Sequence, residues 1–259
     1  IILSMIKKCI NEDARRLLDY LYLDKVMNLF AIGDILNFGV DSETMDVWAD
    51  EDEKGIKTVY LKYLSNMVIS SNSDEVDNDF VAKLIEEYGH MNFNGKTSVL
   101  SKVNFPEGYV RKPCYFASIE HVNEQFLNND EDIRRIGLDD AKTYHLVQTS
   151  IFGDHLKFED IKNNLEHPKS ARYYALYKDG NIVSIGASTA ECEGLAMIVS
   201  VGTIESERKK GYASKLVAKL SDDLLKENKM PCLFYNNPDA ASVYMKIGYK
   251  KVGEFTICG

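Results

Sequence analysis

The tightest constraint on folding lies in residues 201–214, Val201-Gly202-Thr203-Ile204-Glu205-Ser206-Glu207-Arg208-Lys209-Lys210-Gly211-Tyr212-Ala213-Ser214. The apolar run before it, residues 195–201, reads as a buried strand. After it, Ala213, Leu216, Val217, Leu220 and Leu224 keep helical spacing. A strand must therefore pass within a few residues into a helix, through Arg208-x-x-Gly211-x-Ala213. The first N–H groups of a helix have no partner in the helix, and its dipole is positive at that end. Gly211 can take φ > 0 and bring the backbone close to a ligand, and Ala213 is small enough for close approach. Arg208, Lys209 and Lys210 add positive charge. The amides of Lys209, Lys210, Gly211, Tyr212, Ala213 and Ser214 are thus expected to converge on one anion, of the size and charge of a pyrophosphate.

The surrounding sequence alternates strands and helices. Residues 133–136 read as a short strand, and Asp139-Asp140 cap a helix over 141–150. Strands over 172–178 and 181–187 are joined by Asp179-Gly180, a strong hairpin signal. A strand over 195–203, a helix over 212–227 and a buried strand over 232–235 follow. Pro238 starts a short helix over 238–247 that Gly248 ends. A strand over 250–257 is expected to close this sheet.

That last helix carries a second motif. Asn237-Pro238-Asp239-Ala240-Ala241-Ser242-Val243-Tyr244-Met245-Lys246-Ile247-Gly248-Tyr249 resembles the Asn-x-x-Ala-x-x-x-Tyr-x-x-x-Gly-Phe/Tyr pattern of the GCN5-related N-acetyltransferases. The loop at 208–213 resembles their Arg/Gln-x-x-Gly-x-Gly/Ala motif, which follows the fourth strand. The two motifs occur in the family's order, and the resemblance covers roughly 130 residues. It implies a mixed α+β fold that binds acetyl-CoA or another acyl-CoA as co-substrate, with no metal. It implies that the backbone of Val199, Val201 and Thr203 bonds the pantetheine arm, and that Asn237 bonds the arm or fixes the splayed strand ends. Asn237 is equally suited to capping the helix that begins at Pro238. Tyr244 falls on the tyrosine that protonates the departing thiolate as a general acid. Some members carry a glutamate in the fourth strand, but residues 195–201 contain none. Glu191 and Glu193 stand just before that strand, and Glu193 is the candidate base. The implied reaction is direct attack by a primary amine, on a small molecule or a peptide, with no acyl-enzyme.

The N-terminal half is less regular. Residues 12–22 and 25–36 read as helices, with Leu17, Leu18, Leu21 and Met27 inward. Strands over 45–49 and 56–64 flank the acidic turn Asp50-Glu51-Asp52-Glu53-Lys54-Gly55. A strand over 67–70, a helix over 77–88 and a strand over 114–119 complete an order that echoes the C-terminal half. A degenerate second copy of the fold is therefore expected, over residues 1–125, ahead of a catalytic domain over 126–259. Residues 120–130 are the linker. At the place of the phosphate loop this half has Ser70-Ser71-Asn72-Ser73-Asp74-Glu75-Val76-Asp77, with no glycine and three carboxylates. Such a loop repels a pyrophosphate, so no cofactor is expected there.

Charge and composition narrow the alternatives. The net charge of −9 is concentrated in residues 1–125, with 13 Lys+Arg against 21 Asp+Glu; residues 126–259 hold 18 against 19. With no basic face beyond 208–210, nucleic-acid binding is not expected. No apolar run reaches the roughly 18–20 residues of a membrane span. The five cysteines are scattered, which points to reduced thiols and the cytoplasm. His90, His121, His145, His155 and His167 have no metal-ligand spacing. Met5 is read as a natural start, with four vector-derived residues ahead of it. Two other readings compete: a non-catalytic acyl-CoA sensor that keeps the cradle, and an acyltransferase fed by aminoacyl-tRNA, which the weak basic charge disfavours.

Overall fold

The computed structural model describes residues 5–128, 130–154, 156–168 and 170–259. The residues ahead of Met5, Asn129 of the expected linker and His155 lie outside the described residues. The chain forms two compact units. One gathers Ile1–Phe116, Phe234–Asn236 and Lys251–Gly259; the other gathers Ala117–Leu233 and Asn237–Lys250.

In the first unit, β1 (Met5–Lys8) is followed by α1 (Ala14–Leu21) and α2 (Leu29–Phe38). Then come β2 (Met45–Asp52), β3 (Gly55–Tyr63), β4 (Asn66–Ser71), α3 (Asn78–Tyr88), β5 (Asn92–Lys96), α4 (Thr97–Leu100) and β6 (Arg111–Ser118). β1, β2, β3 and β4 pair antiparallel in turn, and β4 pairs parallel with β5. Alternation places Trp48, Tyr60, Met67, Ile69 and Phe93 in a core that α3 closes with Val81 and Leu84. Leu17 and Leu21 are buried as their spacing requires, whereas Leu18 is only partly covered.

In the second unit, β7 (Asp132–Arg135), α5 (Ala141–Phe152) and α6 (Phe158–Glu166) lead into β8 (Arg172–Lys178) and β9 (Asn181–Cys192). β10 (Leu195–Thr203), α7 (Tyr212–Lys226), β11 (Met230–Tyr235) and α8 (Pro238–Ile247) follow. Asp179 and Gly180 hold φ of +50° and +77°, and Lys178 pairs with Asn181 across them. Both residues are left-handed, as a two-residue hairpin that matches strand twist demands. The strand order is β11-β10-β9-β8-β7. Tyr144 and Ile161 pack on Tyr173, Ile185 and Ala187 in this unit's core. α7 buries Leu216, Val217, Leu220 and Leu224; each fully buried leucine stabilises by about 1.5–3 kcal/mol.

One expectation is overturned. The strand β12 (Lys250–Cys258) does not close the C-terminal sheet. It pairs antiparallel with β5, Phe255 to Lys96 through Cys258 to Phe93, and lies between β5 and β6 in the first unit. There Phe255 joins Phe30, Phe116 and Phe234, whose rings lie 4.7–6.1 Å apart. Packing of four aromatic rings, Phe116 and Phe255 among them fully buried, rather than sequence proximity, favours this place for the strand. The expected linker is also no free tether. It contains a 3-10 turn at Glu124–Phe126, and Asn123 N–H donates to Ile247 C=O at 2.8 Å.

Candidate active site

The site grows from an irregularity in β10. Its parallel pairing with β11 runs from Leu195–Met230 to Met197–Cys232, and among the described residues goes no further. Its antiparallel pairing with β9 continues to Thr203, but slips between Val199–Ala187 and Gly202–Ile185. Ser200 and Val201 there oppose the single residue Gly186, and Ser200 holds φ of +54°. This β-bulge turns the strand away from β11. The edge of residues 198–203 that faces away from β9 keeps backbone donors and acceptors outside the ladder. Val199, Val201 and Thr203 all lie on this segment. Ser184 Oγ pins it from the other side, donating to Gly202 C=O at 2.8 Å and lying 2.9 Å from Thr203 Oγ1.

Beyond the strand, a 3-10 turn at Glu205–Glu207 leads to the loop. Lys209 takes φ of +64° and Gly211 of +80°, so the loop is a backbone nest closing on the first turn of α7. Lys215 N–H makes the first bond back, to Gly211 C=O at 3.2 Å. That leaves the N–H groups of Tyr212, Ala213 and Ser214 without partners in the helix. A Cβ built on Gly211 would meet nothing within 4 Å, so the space before these amides is open.

The basic charges are less free than the sequence suggests. Lys210 and Lys178 both bind Glu207, at 2.9 and 3.0 Å. Their hydrogen bonds hold the Glu207 carboxyl below the usual range. Arg208 is exposed and its Nε donates to Thr203 C=O at 3.3 Å. Backbone amides, more than lysine charge, make this loop fit an anion.

α8 packs on α7. Asn237 caps it, its side chain accepting from Asp239 N–H at 2.8 Å, the structural role open to it from sequence. Tyr244 is half-buried with its ring 5.9 Å from that of Tyr249, edge to face, and burial raises its phenol above the ordinary value. A phenol so raised keeps its proton at neutral pH, as a general acid must. Tyr249 is buried, and its hydroxyl lies 2.7 Å from Ser221 Oγ on α7.

The two glutamates before β10 have separate fates. Glu191 is buried, bonded by Arg172 at 2.7 and 2.6 Å, by Lys229 at 2.7 Å and by Ser188. Burial raises its carboxyl, but the bonds from Arg172, Lys229 and Ser188 outweigh this and bring it to about 2. Arg172 also reaches Glu227 at the end of α7, at 2.7 Å. Glu191 is therefore a structural anion. Glu193 is exposed in the β9–β10 turn, at the end of β10 opposite the phosphate loop. Sequence reading missed the bulge at Ser200, because a serine inside an apolar strand gives no sign of positive φ. Among the described residues no cluster of His, Cys, Asp or Glu is arranged to hold a metal, and no helix is long and apolar enough to cross a membrane.

In the first unit, β4 and α3 hold the corresponding place, but four amides there are bonded to side chains. Asn72 N–H donates to Tyr20 Oη, Glu75 N–H to Ser71 Oγ, Asp77 N–H to Tyr60 Oη and Phe80 N–H to Asp77 Oδ1, at 2.8–3.0 Å. A cavity of about 610 Å³ beside this loop is lined by Asp50, Asp74, Glu75, Asp77 and Asp79, with Lys57 and Lys102. The loop is thus acidic, with side chains bonded to several of its amides.

No curated protein sequence matches the chain. Solved structures similar to it include a GCN5-related N-acetyltransferase-like protein from Streptococcus suis (14% identity, TM-score 0.60, 96% of this chain and 99% of that one). An acetyltransferase of the GNAT family from Colwellia psychrerythraea matches at 13% identity and TM-score 0.58, over 98% of each chain. A tandem GNAT protein from the clavulanic acid biosynthesis pathway matches at 10% identity and TM-score 0.58, over 99% of this chain and 97% of that one. At such identities the likeness is one of fold, and it extends over both halves. The family model described as GNAT acetyltransferase matches residues 111–258, more than half of the chain. With its motifs at Arg208 and Asn237, and a repeated element order whose first copy lacks the cradle, the chain belongs to the GNAT acetyltransferase family as a two-domain member with a degenerate N-terminal half.

Proposed function

We propose that the chain is an acetyl-CoA-dependent N-acetyltransferase that acylates a primary amine on a small molecule or peptide. Residues 126–259 carry the chemistry, and residues 1–125 form a domain that binds no cofactor. The observation that carries this reading is the row of unpartnered amides at the start of α7, opening beside a strand edge that has left its neighbour. The amides of Lys209, Lys210, Gly211, Tyr212, Ala213 and Ser214 would hold a diphosphate, with Arg208 alongside. The backbone of Val199, Val201 and Thr203 would take an extended arm as an added strand does, and Asn237 fixes the start of α8 beside it. Acetyl-CoA would supply an activated thioester carbonyl.

The protein then has two tasks. It aligns a neutral amine with the carbonyl, which is worth more here than covalent catalysis. It also delivers a proton to the departing sulfur, the role of Tyr244. With Glu191 locked in ion pairs, Glu193 is the carboxylate we assign to receive the amine's proton through water. The cytoplasm, with its reduced thiols and its acyl-CoA, is the compartment this chemistry suits.

The test is Tyr244→Phe, assayed against a panel of amines by release of free thiol. The ring and its packing remain, so acetyl-CoA affinity should hold while kcat falls by about 10²–10⁴. Full turnover in the variant removes Tyr244 from the mechanism. A wild-type protein that binds acetyl-CoA tightly but acylates no amine is a sensor.

A further inference from the structure

Gln148 is out of place for a core position. It is only 3% exposed, yet its Oε1 is buried without a hydrogen-bond partner. An orphaned buried amide costs about 1–3 kcal/mol relative to a satisfied one, and an apolar residue of the same size avoids that cost. A native protein that keeps such a group has a use for it or a ligand to satisfy it.

Its place in the fold points to the ligand. α5 packs over β9 and β10. One turn before Gln148 on the same face, Tyr144 Oη donates to Gly186 C=O at 3.3 Å. One turn after it, the side chains of Ile151 and Phe152 lie so close over Gly202 that a Cβ there would come within 2.7 and 2.8 Å of them. Gly186 on β9 lies opposite the bulge in β10, and Gly202 is the residue that follows it. Residues three and four apart on a helix share a face, so Gln148 lies on the face of α5 turned to β9 and β10, between the contacts to Gly186 and to Gly202. A side chain at Gly202 would push α5 away, so the glycine keeps the helix close to the strand. Neither β10 nor the inward stripe of α5, Ala141, Tyr144, Gln148 and Ile151, contains a carboxylate.

We propose that Gln148 is the positioning residue for the acceptor: its amide oxygen accepts an N–H from a neutral, weakly basic amine held over the bulge. This rests on the acyltransfer reading above and names the substrate class for it. A carboxylate would stabilise an alkylammonium, whose nitrogen has no free lone pair. A carboxamide stabilises an N–H donor without favouring its protonated form. As the nitrogen–acyl bond forms, the acyl–sulfur bond breaks with its electron pair passing to sulfur. One proton leaves the nitrogen for water, because an amide oxygen is too weak a base to keep it, and one reaches the sulfur from Tyr244.

The experiment compares wild type with Gln148→Leu and Gln148→Glu, using p-anisidine as the weakly basic probe and n-butylamine as the strongly basic one. In Gln148→Leu the KM for p-anisidine should rise about tenfold, as for one lost hydrogen bond, with unchanged acetyl-CoA affinity and an unchanged or higher Tm. In Gln148→Glu the preference should turn toward n-butylamine. An unchanged KM in the leucine variant overturns the proposal. So does a lowered Tm accompanied by loss of acetyl-CoA binding, which marks a structural glutamine. Calorimetric titration of p-anisidine into the protein–CoA complex gives a readout without turnover. If wild type binds it and Gln148→Leu does not, the positioning role stands even where no amine is acylated and the enzyme reading fails. If wild type does not bind it, the positioning role fails alone.

Discussion

The loop between β10 and α7 and the loop between β4 and α3 follow the same path, from a strand into a helix with a parallel strand to come. They differ in what closes the helix start. At α3, Asp77 accepts from Phe80 N–H, and Tyr60, Ser71 and Tyr20 absorb the amides before it. At α7, Gly211 occupies the N-cap position with no side chain to fold back, and the amides stay open. α7 is instead secured at its far end, where Glu227 and Lys229 join the buried pair Arg172 and Glu191. A helix that caps itself is locally more stable and offers fewer free amides to an anion.

The largest test of this contrast is Gly211→Glu. A side chain is strained at φ of +80°, and its carboxylate would occupy the diphosphate position. Acetyl-CoA affinity should fall more than about 100-fold, the order expected when a like charge is set against a bound anion. Calorimetry showing unchanged affinity would remove the cradle from the loop.

Next in size is Glu191→Gln, which tests whether α7 is held at its far end. The folded carboxyl sits at about 2, below its ordinary 4.5. Its contribution is therefore complete above the ordinary range and disappears as pH falls to about 2. Stability at pH 7 should drop by about 3 kcal/mol in urea titrations. The gap from wild type should narrow at pH 3. An equal gap at both pH values would mean that the loss comes from packing and not from charge.

The smallest expected effect is a null result. In Asp74→Asn/Glu75→Gln/Asp77→Asn the repulsive charges of the first loop are gone, but its amides remain bonded to Tyr60, Ser71 and Tyr20. Acetyl-CoA should still bind once per chain. A second equivalent in the titration would show that charge alone, and not the occupied backbone, silences that loop.

The contrast also marks how far the sequence could be read. β10 and α8 fall where periodicity, Gly211 and Pro238 put them, because burial pattern and cap chemistry are local. β5, Asn-Phe-Asn-Gly-Lys, went unread because its polar residues and glycine imitate a loop; its pairing with β4 and β12 makes it a strand. α6 was missed for a similar reason, burying only Ile161 in nine residues. The three carboxylates of the first loop are plain in the sequence. The hydroxyls that close it are not, since Tyr20 and Tyr60 arrive from other elements. The partner of β12 lies more than 150 positions back along the chain, beyond any local pattern.

That partner choice constrains the order of events at the ribosome. The sheet of the first unit cannot be completed when its own strands have emerged, because the place between β5 and β6 is filled by residues 250–258. Until these are made, β5 exposes a row of unpaired N–H and C=O groups, a template for pairing with another nascent chain. The two halves therefore cannot mature one after the other like beads on a string. A gene split near residue 125 would yield a first fragment with an open seam, and adding a peptide spanning 250–258 would be the way to close it.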